Sequence, residues 1–196
     1  MNKRRARQIK YSTGLALLFA SLFVAILSGC TTSTELPSQL TVDIRQHQLA
    51  VQEISSLKAQ YLDFMDKGPG GPGPYADGLI DLFVEDATWA IEIGGKTETY
   101  QGKAELLKRF KSIENYFKPV AITQTKHITT NPVLNISGDK ATGSWQLIMM
   151  GEKEDGRVIH GFGFYNDIYK IDSDGKWKIK FTKVVLECCE KGWGEK

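Results

Sequence analysis

The chain carries three histidines, His47, His127 and His160. Imidazole is the side chain whose proton comes and goes most readily near neutral pH. His127 stands at the head of KHITTNPVLNISGD (Lys126–Asp139), a strand-like run interrupted at Asn131-Pro132 and ended by a turn signal. Two roles are open to it: moving protons in a pocket, or packing in a wall with a bond to a backbone carbonyl. Its odd-numbered neighbours Thr125, Thr129 and Asn131 form a polar face that fits a polar pocket and plain solvent equally well. A bulge at Asn131-Pro132 would reset the alternation beyond it. His47, near the start of a helical pattern, reads as solvated. The three cysteines, Cys30, Cys188 and Cys189, give no CxxC spacing and no Cys/His cluster, so no metal site is expected. Cys188 and Cys189 are adjacent and point to opposite faces of a strand, so they cannot bridge each other without strain. A buried or spare thiol, or a cross-link between chains, is what remains for them.

Cys30 has a different chemistry in prospect. MNKRRARQIK carries five basic residues and no acid, and GLALLFASLFVAIL follows it. A basic segment, an apolar run and small residues before a cut site make a secretory signal. Leu27-Ser28-Gly29-Cys30 matches the bacterial lipobox, in which the cysteine is diacylated and the chain is cut before it. Two or three acyl chains anchor a protein stably where one does not. The expected organisation is a signal over 1–29, a lipid-anchored tether over 30–40 and one domain over 41–196. Thr31 is not the aspartate associated with inner-membrane retention in some bacteria, which favours the outer membrane and a periplasm-facing domain. Removing residues 1–29 takes five of the 25 basic residues and none of the 23 acidic ones, leaving a net charge of −3. With no basic stripe left, nucleic acid is excluded as an expected partner.

Around these residues the pattern supplies the elements. From Thr41 to Lys67 it is helical: Leu49, Ile54, Leu57, Tyr61 and Phe64/Met65 recur at three- and four-residue steps, with Arg45, Gln46, Gln52 and Lys58 among the polar positions. GPGGPGPYADG then stops the helix. ADGLIDLF reads as a short helix and EDATWAIEI as a strand with Ala87, Trp89 and Ile91 on one side. After a GG turn and a brief TETY strand, a second amphipathic helix runs from Gly102 to Phe117 on Leu106, Leu107, Phe110 and Ile113. Four strands follow, near 121–136, 140–151, 157–171 and 176–187, separated by SGDK, EKEDG and DSDGK. Lys176, Lys178 and Lys180 read as the wet face of the last strand. Such an order is an α+β layout, with a sheet long enough to curl around the helices.

In their order and spacing, YLDFMD, GLIDLFVEDATWAI, GKAELLKRF, KHITTNPVLNISGDKATGSW and GFYNDIYKIDSDGKWKI resemble the SnoaL-like branch of the nuclear-transport-factor-2-like superfamily. The resemblance covers nearly all of the chain beyond the tether. It implies a cone-shaped, curved antiparallel sheet packed on helices, with a pocket at its mouth and, in many members, dimerisation through the convex or open face of the sheet. The family includes polyketide cyclases, dehydratases, isomerases and members without chemistry, so it supplies a scaffold and not a reaction. Some of its dehydratases place a tyrosine and an aspartate near the end of the first helix and a histidine on the first long strand; here these are Tyr61, Asp66 and His127. The set makes chemical sense. A carboxylate fixes the imidazole tautomer and raises its basicity, leaving the other ring nitrogen to abstract a proton beside a carbonyl. A tyrosine hydroxyl then serves the departing oxygen. No metal or cofactor is required.

The chain also departs from that pattern. Where scytalone-dehydratase-like members carry a second histidine, this chain has Trp145, and the remaining candidate, His160, lies one strand later. Asp167, within YNDIY, falls where many members have a structural Tyr/Asp pair. Trp89, Trp145, His160 and Phe162 are the expected pocket lining, although aromatics at strand spacing usually pack the core. Two functions stay open: a cofactor-independent lyase or isomerase acting on a small apolar or cyclic molecule, and a non-catalytic envelope module binding a ligand or a protein. The first requires Asp66 and His127 to meet, and the second has them apart.

Overall fold

The computed structural model describes residues 38–67, 73–116 and 122–189. The expected signal, Cys30, most of the tether, residues 68–72 and the side chains of Cys188 and Cys189 lie outside the described residues. The fold is that of the compact unit running from Thr41 onward. Among the described residues no helix is long and apolar enough to cross a membrane.

Helix α1 spans Ser38–Asp66. It contains no proline or glycine, and it stops where Gly68-Pro69 would break the hydrogen-bond ladder. Its two halves differ. Leu40, Val42, Ile44 and Leu49 are exposed, whereas Ile54, Leu57, Tyr61, Leu62 and Met65 are buried. Leu49, expected on the apolar stripe, therefore lies before the part of the helix that packs. Lys58, expected among the wet positions, is 1% exposed. At about 100° per residue, position 58 falls between Ile54, Tyr61 and Leu62, in the middle of the stripe.

A short helix α2 (Ala76–Asp81) leads into strand β1 (Phe83–Ile93) and strand β2 (Lys96–Gln101). Ile93 pairs with Lys96 across a two-residue turn. Gly94 and Gly95 both have positive φ there (57° and 76°), which is the geometry that matches the twist of a tight hairpin. Helix α3 covers Lys103–Tyr116. Four strands follow: β3 (Ile122–Ser137), β4 (Lys140–Lys153), β5 (Val158–Ile171) and β6 (Trp177–Cys189).

The six strands form one sheet in the order β2-β1-β6-β5-β4-β3. It is not wholly antiparallel, as expected, but mixed: β1 runs parallel to β6. The short hairpins keep β3 to β6 antiparallel in sequence order, while the early hairpin is brought back against the last strand. Lys178 and Lys180 help to close that seam. Lys178 Nζ donates to Asp81 O at 2.8 Å, and Lys180 Nζ pairs with Asp86 Oδ2 at 2.5 Å.

Two irregularities set which residues face inward. The β3–β4 register shifts between Thr130 and Val133, and Asn131 sits at φ 51°, a left-handed conformation that asparagine tolerates. Before that bulge Thr125 and His127 face inward; after it Leu134 and Ile136 pack on the core. On β5 the register against β6 shifts at Gly163, where an added Cβ would lie 1.8 Å from Val185 O. Only glycine allows that approach. The inner face carries Trp145, Leu147, Met149, Tyr165 and Tyr169 against Phe83, Trp89, Phe110 and the buried half of α1.

Candidate functional site

The last residue of α1 meets the inward face of β3. His127 Nδ1 lies 2.6 Å from Asp66 Oδ1, and the backbone N–H of His127 donates to Asp66 Oδ2 at 2.8 Å. Both carboxylate oxygens thus hold one residue, fixing the ring and the strand together. The side chains are 7% and 5% exposed. Burial alone would raise the Asp66 carboxyl, but the bond and charge of the His127 ring, the His127 N–H and the Thr125 hydroxyl outweigh it. Asp66 is held below the ordinary carboxylate value. An ionised carboxylate only accepts hydrogen bonds, so Nδ1 carries the proton and Nε2 is the basic end. Met149 lies directly across from His127, with Gly161 beyond it. In the next row Thr129, Leu147, Gly163 and Leu186 follow one another across four strands. The imidazole therefore stands at the edge of a largely apolar inner surface.

Deeper in the core a second ion pair joins α1 to the sheet. Lys58 Nζ lies 2.9 Å from Asp167 Oδ2, and both side chains are 1% exposed. Asp167 also accepts from Tyr169 OH (2.5 Å) and Thr182 Oγ1 (2.6 Å). Tyr169 OH in turn accepts from Trp145 Nε1 at 3.1 Å. The Lys58 ammonium sits 3.4 Å from the centre of the Tyr165 ring and 4.9 Å from that of Tyr61. Burial pushes Lys58 down to about 8, against the opposing pull of Asp167. Tyr165 and Tyr169 are pushed well above the ordinary phenol range, first by burial and then by negative charges that include Asp167.

Of the residues expected at a site, Asp66 and His127 are brought together. Tyr61 is fully buried, its hydroxyl accepting from Trp89 Nε1 at 2.9 Å, and burial raises its phenol pKa. Trp89 and Trp145 belong to the packed core, with their indole N–H groups on Tyr61 and Tyr169. His160 and Phe162 are a correction: both are on the outer face, because Gly161 and Gly163 take the inward positions of β5. Phe162 is 50% exposed there. Lys58 went unrecognised in the sequence, although a charged residue centred on an apolar helix stripe was a legible signal. Among the described residues no group of three His, Cys, Asp or Glu side chains is gathered as a metal would need.

A family model described as a SnoaL-like domain matches residues 46–183. Among solved structures, an NTF2-like protein with a cystatin-like fold from Novosphingobium aromaticivorans superposes with a TM-score of 0.61 at 18% identity, covering 79% of this chain and 92% of that one. A hexachlorocyclohexane dehydrochlorinase (LinA, type 2) superposes at 0.57 with 24% identity over 76% and 91% of the two chains. A Mycobacterium tuberculosis protein of unknown function gives 0.55, with 22% identity over 71% and 77%. At these identities the structural likeness is one of fold. No curated protein matches.

Proposed function

Because this chain belongs to the SnoaL-like domain family, we propose that it binds a small apolar or cyclic molecule at the mouth of the cone and acts on it as a cofactor-independent lyase or isomerase. One observation carries the reading: the 2.6 Å contact between Asp66 and His127, both nearly enclosed, beside an apolar inner surface. His127 Nε2 takes a proton from a carbon of the substrate, and the electron pair left behind forms a double bond. In an elimination the leaving group departs with its own electron pair; in an isomerisation the imidazolium returns the proton to another carbon. Asp66 keeps Nδ1 protonated and stabilises the cation that forms. The dehydrochlorinase among the similar structures has a name that denotes such an elimination, which makes chlorinated cyclohexanes and cyclic β-hydroxy ketones the first probes. Turnover abolished by His127→Gln and reduced at least about a hundredfold by Asp66→Asn supports catalysis. Saturable binding without turnover supports the non-catalytic pocket module instead, and neither binding nor turnover sinks both.

The domain is tethered to the bacterial envelope through lipid on Cys30, facing the periplasm, on the strength of the Leu27–Cys30 motif and the basic and apolar segments before it. Processing at this site should be lost in Cys30→Ala; normal cleavage of that variant would refute the anchor.

A second copy of the chain is proposed to pair on the outer sheet face. Ile128, Ile148 and Phe162 lie side by side on β3, β4 and β5, each 45–50% exposed. The outward residues from Ile128 to Asn135, Thr142 to Met150 and Val158 to Ile168 include no Lys, Arg, Asp or Glu. Charge depletion with exposed apolar side chains is the composition of an interface centre. The same face has a hollow of about 320 Å³, bounded by Val133, Asn135, Asn166, Ile168 and Phe181, with room for a partner's side chains. Sedimentation should show a dimer that Phe162→Asp dissociates; a wild-type monomer at high concentration rejects the pairing.

A further inference from the structure

We propose that Lys58 and Asp167 are positioning residues for the Asp66–His127 site, fixing the height and roll of α1 on the sheet so that the Asp66 carboxylate meets His127. The proposal rests on the reading of Asp66–His127 as the working pair. Lys58 and Asp66 share one helix eight residues apart, roughly 12 Å along its axis. A small slip or rotation of α1 at Lys58 therefore displaces Asp66, and a two-point contact at 2.6 and 2.8 Å has little tolerance for displacement.

Stability is a poor explanation for the buried pair. Two charges lose their hydration there, and well-packed apolar residues of similar volume often hold a core as well or better. What apolar packing lacks is direction. Ile54, Leu57, Leu62 and Met65 bury area without bonding any one partner atom, whereas the ammonium is paired with one carboxylate at 2.9 Å. That carboxylate is itself immobilised by Tyr169 from β5 and Thr182 from β6. A helix–sheet pin of this kind specifies one register.

Tyr165 gives the pin a physical link to the site. Its ring lies under the Lys58 ammonium at 3.4 Å and meets Tyr61 edge-on at 5.9 Å. The negative charge of Asp66 reaches its phenol and adds to the rise in its pKa. Tyr165 thus lies in the field of both pairs. Lys58 faces Tyr61 on α1 and Tyr165 and Asp167 on β5, and Asp167 in turn accepts from Tyr169 on β5 and Thr182 on β6. Tyr61 makes a further directional contact from this helix, with Trp89, so Tyr61→Phe is the control for loss of a hydrogen bond without loss of the pin.

The test compares the full-length chain with Lys58→Met/Asp167→Leu. Three quantities are read: the melting temperature, the carbon-13 titration of the Asp66 carboxyl, and the downfield proton signal of His127 Nδ1–H. The expected result separates stability from site geometry. The double variant melts no lower than the wild type, yet Asp66 titrates at higher pH, nearer an ordinary carboxyl, and the Nδ1–H signal is broadened or lost. Tyr61→Phe leaves both signals in place. A folded double variant with an unchanged Asp66 titration and Nδ1–H signal overturns the proposal. Should the double variant not fold, Asp167→Asn replaces it, since the amide keeps the volume and its single oxygen can still accept from Tyr169 or Thr182; an Asp66 titration unmoved in that variant overturns the proposal equally. If the wild type itself shows an ordinary Asp66 titration, the Asp66–His127 pair is absent and the parent reading fails with it.

Discussion

Helix α1 is joined to the sheet by two acid–base pairs, Lys58–Asp167 and Asp66–His127, which reverse the order of acid and base between helix and strand. They differ in how far their bonding capacity is used up. Asp167 has three donors, Lys58, Tyr169 and Thr182, and its pair is closed to solvent on every side. Asp66 likewise spends both oxygens, but all of that effort is directed at one residue, and Nε2 of the ring it holds has no partner among the described residues. A carboxylate supplied from three sides is structural by default, even though the Lys58 ammonium facing it makes an ion pair and ring contacts without a well-aligned hydrogen bond. A pair with one ring nitrogen left over is equipped to exchange a proton. The difference lies in hydrogen-bond supply and not in residue type.

The comparison can be broken most forcefully at Lys58. Lys58→Met leaves Asp167 buried without its cation, and the expected loss of stability in urea unfolding is about 3–5 kcal/mol; a loss below about 1 kcal/mol would show that the pair is looser than 2.9 Å implies. Asp66→Asn removes the charge at a less enclosed site and should cost about 1–3 kcal/mol, together with the downfield His127 Nδ1–H signal. If that signal survives, the ring is held by something else.

Titration sharpens the contrast further. The folded value of Asp66 is lowered, so its contribution is complete above the unfolded carboxyl value, about 3.9, and fades as pH falls through the folded one. Lys58 acts in the opposite sense. Its folded value is lowered from 10.5 to about 8, so between these limits the unfolded chain holds a proton that the fold has released. Stability should rise from pH 8 toward 10, on the order of 2 kcal/mol. Above about pH 10 it should turn down, because unfolded tyrosines ionise while Tyr61, Tyr165 and Tyr169 stay protonated in the fold. A melting temperature that falls steadily from pH 8 contradicts this account, and loss of the rise in Lys58→Met assigns it. The smallest effect belongs to Thr125→Val, which deletes a hydroxyl beside Asp66. That hydroxyl is buried without a well-formed hydrogen bond, so stability should change by about 1 kcal/mol or less in either direction, while the Asp66 titration rises slightly and Lys58 is untouched.

Much of the architecture was legible because its causes are local. The Gly68-Pro69 break, the Gly94-Gly95 turn and the hairpin signals after β3 and β4 act within a few residues, and the observed elements start and stop close to the expected positions. The Asn131-Pro132 bulge was legible for the same reason. The parallel β1–β6 pairing was not, since it joins strands about ninety residues apart in the chain and nothing local distinguishes it. His160 and Phe162 were expected in the pocket because their types suit one; their facing depends on Gly161 and Gly163, and the latter is set by a backbone contact with β6. Lys58 was read by its charge when its place on the helix stripe was the better guide.

The site divides along the same line. By itself the sequence determined a helix ending at Asp66, a strand carrying His127 with Thr125 on one face, an apolar set for the core, and the signal-like segment before Cys30. These follow from periodicity, breakers and side-chain chemistry, which need no partner element. Only the tertiary structure decided that Asp66 and His127, 61 residues apart, share two hydrogen bonds, that Tyr61 spends its hydroxyl on Trp89, and that Lys58 lies inside against Asp167. Each of these is a contact between elements. Its free energy depends on which groups become desolvated together, a property that arises only when helix and sheet are packed.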